Sequence, residues 1–188
     1  RKSYLGEIDM KQIFKIPNFL KGDEVKAIYA RILQTEDYIK SLGPPRYDGV
    51  EGDSLTGRFM YYNSLQDEVL GPLLKPKLKV CFGRRRFFQV WANTFRKGDR
   101  IKPHRHQDPN DGSAQIPHWT CANIFIGGEA SEGTYYDGVL YPNRVGELTV
   151  FQSDIPHWTN PYQGDDVRVT MAMDIHLNKM NPSQIKIS

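Results

Sequence analysis

Apolar residues recur at helical spacing early in the chain and at strand spacing later. Residues 13–16 (Ile-Phe-Lys-Ile) read as extended and stop at Pro17. Asp23 then caps an expected helix through about Tyr38, with Val25, Ile28, Tyr29, Ile32 and Leu33 on one apolar face. Residues 41–63 carry Gly, Pro, Asp and Tyr without periodicity, and a second helix is expected over residues 65–74. Beyond Arg86 the pattern becomes aromatic and β-branched. Residues 87–95, 119–126, 148–151 and 167–175 are expected strands, separated by Gly, Asp and Pro clusters such as Gly98-Asp99. Helices first and strands afterwards predict an α+β fold, with helices on one side of an antiparallel sheet pair. Barrel-like closure, as in a jelly roll, would remove exposed strand edges and leave a cavity.

Composition adds limits. The 188 residues, 39% hydrophobic and 25% charged, suit one domain with a real core. Its helical part runs to about residue 86 and its β core over about 87–177. No repeat, linker or low-complexity tract divides it, and no apolar run approaches the roughly 20 residues of a membrane span. Two cysteines, Cys81 and Cys121, do not make a disulfide framework, which favours a reducing, cytoplasmic setting. The net charge of +3 is mild. Arg84, Arg85 and Arg86 form a short basic cluster that reads as a solvated edge rather than a nucleic-acid site.

The informative segment is Lys102-Pro103-His104-Arg105-His106-Gln107-Asp108. In an extended chain, residues i and i+2 share a face, so His106 and Asp108 can offer a nitrogen and an oxygen to one ion. His157, in Gln152-Ser153-Asp154-Ile155-Pro156-His157-Trp158, can supply the third ligand. Two histidines and one carboxylate on one face of an octahedron leave three positions open, as in non-haem Fe(II) oxygenases. Arg168 lies eleven residues after His157, with Thr170 on the same face. A guanidinium and a hydroxyl so placed can bind the far carboxylate of a chelating keto-diacid.

His106-x-Asp108, His157 and Arg168-x-Thr170 together resemble the Fe(II)/2-oxoglutarate-dependent oxygenases. The segment Phe14-Lys15-Ile16-Pro17-Asn18-Phe19-Leu20 before a helix is similar to the prolyl-hydroxylase-like branch. Trp91-Ala92-Asn93 with Lys97-Gly98-Asp99 is similar to small bacterial and phage members. The resemblance implies a double-stranded β-helix buttressed by helices, spanning residues 1–188. It also implies Fe(II), 2-oxoglutarate and O₂ as cofactor and co-substrates. The expected activity is oxidation, most often hydroxylation, of a small-molecule or peptidyl substrate, with release of succinate and CO₂.

A second register stays open. Counting from Gly98, prolyl-hydroxylase-like members often place the first ligand six residues on, at His104, which puts His106 where the acid should stand. The same residues open a cupin motif, and a cupin-type dioxygenase or isomerase would use His104, His106 and His157. It lacks the expected glutamate and Pro-x-Gly here and has no need of Arg168. A non-catalytic binding barrel, its histidines vestigial or holding structural zinc, is the reading from another class.

Other residues are weighed more lightly. Asn93 and Asn123 interrupt apolar strands and can face a pocket or cap a strand end. Trp91, Trp119, Trp158, Tyr135 and Tyr136 are expected in the core or the pocket wall. His118 and His176 have no ligand-like partner in sequence. Residues 41–63, with Pro44, Pro45, Arg46, Tyr47 and Asp48, are a candidate lid or a surface loop.

Overall fold

In chain order, β1 (Phe14–Ile16) leads into α1 (Gly22–Ser41). A largely irregular stretch then carries β2 (Val50–Glu51) and two 3₁₀ turns, Leu55–Arg58 and Ser64–Gln66, to α2 (Leu70–Phe82). Strands follow: β3 (Arg86–Phe95), β4 (Arg100–Ile101), β5 (Thr120–Gly127), β6 (Gly133–Tyr136), β7 (Val139–Pro142), β8 (Leu148–Gln152), β9 (His157–Trp158), β10 (Arg168–His176) and β11 (Ile185–Ile187). This computed structural model describes residues 13–46, 48–83, 86–107, 119–129 and 131–187.

The expected strands form within a residue or two of their predicted limits. They assemble into a six-stranded antiparallel sheet in the order β1-β8-β5-β10-β3-β11. A three-stranded sheet, β7-β6-β9, and the pair β2-β4 complete the described ladders. The six-stranded sheet ends at β1 and β11, so the fold is a mixed helix and antiparallel-sheet structure.

Alternation sets the two faces. Val169, Met171, Met173 and Ile175 of β10 join Phe88, Val90 and Ala92 of β3 in the main core. There they meet Val25, Ile28 and Ile32 of α1 and Leu70, Leu74 and Leu78 of α2. The other face of the same strands carries Gln89, Trp91, Asn93 and then Arg168, Thr170, Ala172, Asp174 and His176. Period-two geometry thus separates a helix-covered apolar side from a polar side on which a site can be built.

Both helices depart from their expected limits. The first begins at Gly22, not behind an Asp23 cap, because Glu24 reaches back to accept the Lys21 backbone N–H at 2.7 Å. Asp23 instead sits in the first turn, where its charge suits the helix dipole. The second runs over Leu70–Phe82 rather than residues 65–74. Pro72 lies in its first turn, where a missing N–H is harmless, but Pro76 withholds an interior hydrogen bond. Three fully buried leucines one turn apart override that cost. The helix stops at Gly83, whose positive φ of 78° suits glycine.

One ion-pair cluster fastens α1 to the sheet. Buried Glu36 accepts from both Arg96 guanidinium nitrogens at 2.9 Å, from Thr94 Oγ1 at 2.9 Å and from Lys40 at 3.0 Å. Burial pushes this carboxyl up, but those hydrogen bonds outweigh it and hold the pKa down at about 2, from an ordinary 4.5. A depressed pKa stabilises the fold above the unfolded value. The contribution, about 2 kcal/mol, is therefore lost as pH falls from near 4.5 through about 2. Urea unfolding from pH 6 to pH 2 should show this slope, and Glu36→Gln should flatten it.

Candidate active site

The candidate site starts from a turn. Gly98, at φ 91°, reverses the chain after β3, and Asp99 accepts the Arg96 N–H at 2.8 Å. The returning segment runs through β4 and pairs with the approach to β9. The His104 N–H donates to the His157 carbonyl at 3.2 Å, and the His157 N–H donates back to the His104 carbonyl at 2.9 Å. Residues exchanging both hydrogen bonds lie directly opposite each other with side chains on one face. His106, two residues on, shares that face, and its N–H is held by the Ser153 carbonyl at 3.0 Å.

The three imidazoles therefore meet. Ring centroids are 4.1 Å apart for His104 and His157, 5.1 Å for His106 and His157, and 5.4 Å for His104 and His106. Each ring offers one nitrogen within 4.8 Å of the other two. Their other nitrogens are engaged. His104 Nδ1 lies 2.9 Å from the Lys102 carbonyl, and His157 Nδ1 lies 3.0 Å from the Ile155 carbonyl. Because a carbonyl only accepts, each Nδ1 carries the proton and Nε2 keeps its lone pair. Burial, reinforced by repulsion from neighbouring imidazoles, lowers the pKa of His104 to about 4 and that of His157 well below the ordinary 6.5. Both rings are therefore neutral at pH 7.

His106 Nδ1 faces Asp174 Oδ1 at 2.5 Å. The same oxygen accepts from Trp119 Nε1 at 3.0 Å and from Cys121 Sγ at 3.3 Å. Burial alone would push the Asp174 carboxyl up; His106 and the other donors hold it below the usual range. A carboxylate that fixes a histidine's tautomer in this way is the usual outer partner of a metal-ligating imidazole. His106, Cys121 and Asp174 also lie within metal-ligand reach of one another. There, however, donors and acceptor already satisfy each other, and burial holds Cys121 as a thiol.

Arg168, at the opposite end of β10, is only 4% exposed. Its Nε donates to Ser131 Oγ at 2.9 Å and its guanidinium lies 5.1 Å from the centroid of the Phe95 ring. Among the described residues it has no carboxylate partner. Burial lowers its pKa to about 10, the mark of a cation removed from water. Thr170 sits on the same face and accepts from Asn93 Nδ2 at 2.9 Å, while Asn93 Oδ1 accepts from the Thr56 hydroxyl. Arg168, Thr170, Asn93, Tyr136 and the three histidines line one narrow cavity of about 40 Å³. Two buried oxygens of that lining, Asn123 Oδ1 and Thr134 Oγ1, lie beside the Tyr136 phenol.

The structure places His106, His157, Asn93, Arg168 and Thr170 around one cavity, together with His104, the alternative ligand of the second register. Asp108 and His118 lie outside the described residues, as do Arg84, Arg85 and Tyr47. Of the candidate lid, Leu55, Thr56 and Arg58 are buried, and Thr56 is part of the cavity wall. Asp174 was missed. Its signal is a charged residue inside an apolar strand, in step with Arg168 and Thr170.

Neither a protein-family model nor a curated protein matches the chain. Solved structures do. A prolyl-4-hydroxylase from Pseudomonas putida superposes with a TM-score of 0.55 at 16% identity, covering 89% of this chain and 93% of that one. The viral collagen prolyl hydroxylase of Paramecium Bursaria Chlorella virus-1, in its 2-oxoglutarate complex, gives 0.61 at 16% identity over 90% and 98%. The chain shares their fold. The epimerase SnoN, complexed with Fe³⁺, α-ketoglutarate and nogalamycin RO, gives 0.62 at 10% identity over 88% and 79%. One fold therefore carries different outcomes, and substrate must be argued from the site.

The Asp174 cluster makes a stability prediction. Asp174→Ala leaves one buried and two part-buried donors without this acceptor and should cost about 3 kcal/mol, read as a lower urea midpoint. Asp174→Asn, which keeps an acceptor oxygen, should cost clearly less.

Proposed function

We propose that this protein is an Fe(II)- and 2-oxoglutarate-dependent oxygenase of double-stranded β-helix architecture, in one domain over residues 1–188. We assign the metal to His104, His106 and His157. The observation that carries this reading is the pairing of three converging imidazoles with a buried guanidinium that has no carboxylate partner among the described residues, across one cavity. The donor set fits a divalent metal, since two rings are neutral and all three have their Nδ1 atoms held by oxygens. When bound, iron with 2-oxoglutarate and O₂ supplies the oxidation, releasing succinate and CO₂. We expect hydroxylation of an unactivated C–H bond in a small-molecule or peptidyl substrate.

Arg168 would take the far carboxylate of 2-oxoglutarate, with Thr170 adding a hydroxyl donor. Asn93 and Thr56 hold that threonine in place. Burial pushes the Tyr136 phenol up, so it stays protonated beside the same subsite as a neutral donor. Asp174 keeps His106 in the tautomer that ligation needs.

Three histidines are also the set a cupin-type dioxygenase would use. Arg168 separates the two readings, because only a keto-diacid co-substrate gives it a partner. Arg168→Gln should raise the 2-oxoglutarate concentration needed for half-maximal succinate release about 10- to 100-fold, with unchanged circular dichroism. Unchanged demand would refute the co-substrate assignment.

Metal titration tests the ligand set independently of turnover. His104→Ala should abolish stoichiometric Fe(II) binding under anaerobic conditions, while Asp108→Ala should retain it. The reverse pattern would restore the register with Asp108 as the acid ligand.

A further inference from the structure

A second chamber, of about 290 Å³, adjoins the histidines on the side away from Arg168. It shares His104, His106, Trp91 and Thr56 with the narrow cavity, so whatever fills it lies directly beside the proposed metal position. Its size admits a small molecule rather than a folded partner.

The walls of this chamber are mostly rings. Phe59 packs on Trp91 with centroids 5.3 Å apart, and Trp119 packs on His176 at 4.8 Å. Both pairs abut His106: Trp91 is stacked at 5.9 Å, and Trp119 stands edge-on at 6.3 Å. A flat π-system entering such a space gains offset and edge-to-face contacts beyond its area burial, which a saturated ring of equal size does not. Two ring nitrogens in the wall, Trp91 Nε1 and His176 Nδ1, are buried without a hydrogen-bond partner among the described residues. A polar substituent on the ligand is the natural means of satisfying them.

Charge supplies the remaining constraint. Among the described residues, the chamber is lined by two formally charged ones, Asp174 and Arg105. Asp174 is engaged by His106, Trp119 and Cys121. Arg105 is exposed, lines the chamber and forms no ion pair among the described residues, so it offers a cation at the rim. The ligand this arrangement complements has its aromatic body inside and an anionic group outside.

We propose that the chamber binds a small aromatic carboxylate, its ring against Phe59, Trp91 and Trp119 and its carboxylate at Arg105. This names a substrate class for the oxygenase proposed above and rests on that reading only for the end presented to the metal. The ring-bearing end, not the acid, faces His104 and His106.

Calorimetric titration with indole-3-carboxylate, indole and cyclohexanecarboxylate tests the assignment. It should be run on the protein as isolated and again with Zn(II) and 2-oxoglutarate present. Indole-3-carboxylate should bind at least tenfold more tightly than either comparison compound. Arg105→Gln should erase its advantage over indole, and Phe59→Leu should reduce its advantage over cyclohexanecarboxylate several-fold. Equal affinity for the three probes, no binding of indole-3-carboxylate, or indifference to both substitutions would overturn the proposal. Selective binding with no succinate formed when Fe(II), 2-oxoglutarate and O₂ are supplied in a separate assay would instead sink the oxygenase reading and leave the aromatic-acid site standing.

Discussion

Two backbone hydrogen bonds between His104 and His157 bring together segments more than fifty residues apart in sequence. They oppose the two residues directly, so both imidazoles project to one side, and the two-residue period then adds His106. Every other feature of the candidate site is arranged around that short bridge. A shift of one residue in the pairing would turn these side chains to the other face and disperse the cluster. The glycine turn at Gly98 and the hydrogen bond from the Gly98 N–H to the Tyr162 carbonyl, 2.8 Å, help fix the register from one side. Ser153, accepting from both the His106 and Gln107 N–H groups, fixes it from the other.

Strand β10 shows how such a site is tolerated in the middle of a sheet. Its inner face runs Arg168, Thr170, Ala172, Asp174, His176, which buries a cation, an anion and an imidazole along one strand. Burial of polar groups on that scale is unfavourable unless each finds partners. Its outer face, Val169, Met171, Met173 and Ile175, packs wholly against helices and neighbouring strands. That apolar side offsets the cost of the polar side, and pairing with both β3 and β5 leaves no edge free to slip. Arg168 and Asp174 lie at separate positions on this face and do not neutralise each other directly. One is left facing a cavity and the other is committed to His106.

Much of this was legible in the sequence, and what was not has specific causes. The four long strands announced themselves by alternation and aromatic content, and Arg168 with Thr170 were singled out by their offset from His157 once a dicarboxylate co-substrate was expected. The second helix was misplaced because Pro72, Gly71 and Pro76 argue against helix locally, whereas Leu70, Leu74 and Leu78 are rewarded only by tertiary packing. The histidine register could not be read at all. Residues 104, 106 and 108 all fall on one face of an extended chain, so local periodicity ranks them equally. What the structure adds is a long-range backbone pair between His104 and His157, which no single-sequence pattern encodes. Asp174 escaped notice for a related reason. Its partner His106 lies 68 residues away.

The balance of buried charge bears on why a carboxylate can be absent from the proposed ligand set. Arg168 and Asp174 are opposite in sign, and the imidazoles of His104 and His157 are neutral at pH 7. A divalent cation and a dicarboxylate dianion entering together would leave the net charge of this interior unchanged. An additional acid among the ligands would leave an uncompensated negative charge in a low-dielectric space unless another cation accompanied it. Asp174, joined to His106 by one short hydrogen bond, already supplies an anion beside the centre without occupying a coordination position. On this view His106 and Asp174 act as a pair that does the electrostatic work of a ligating carboxylate from one residue further out.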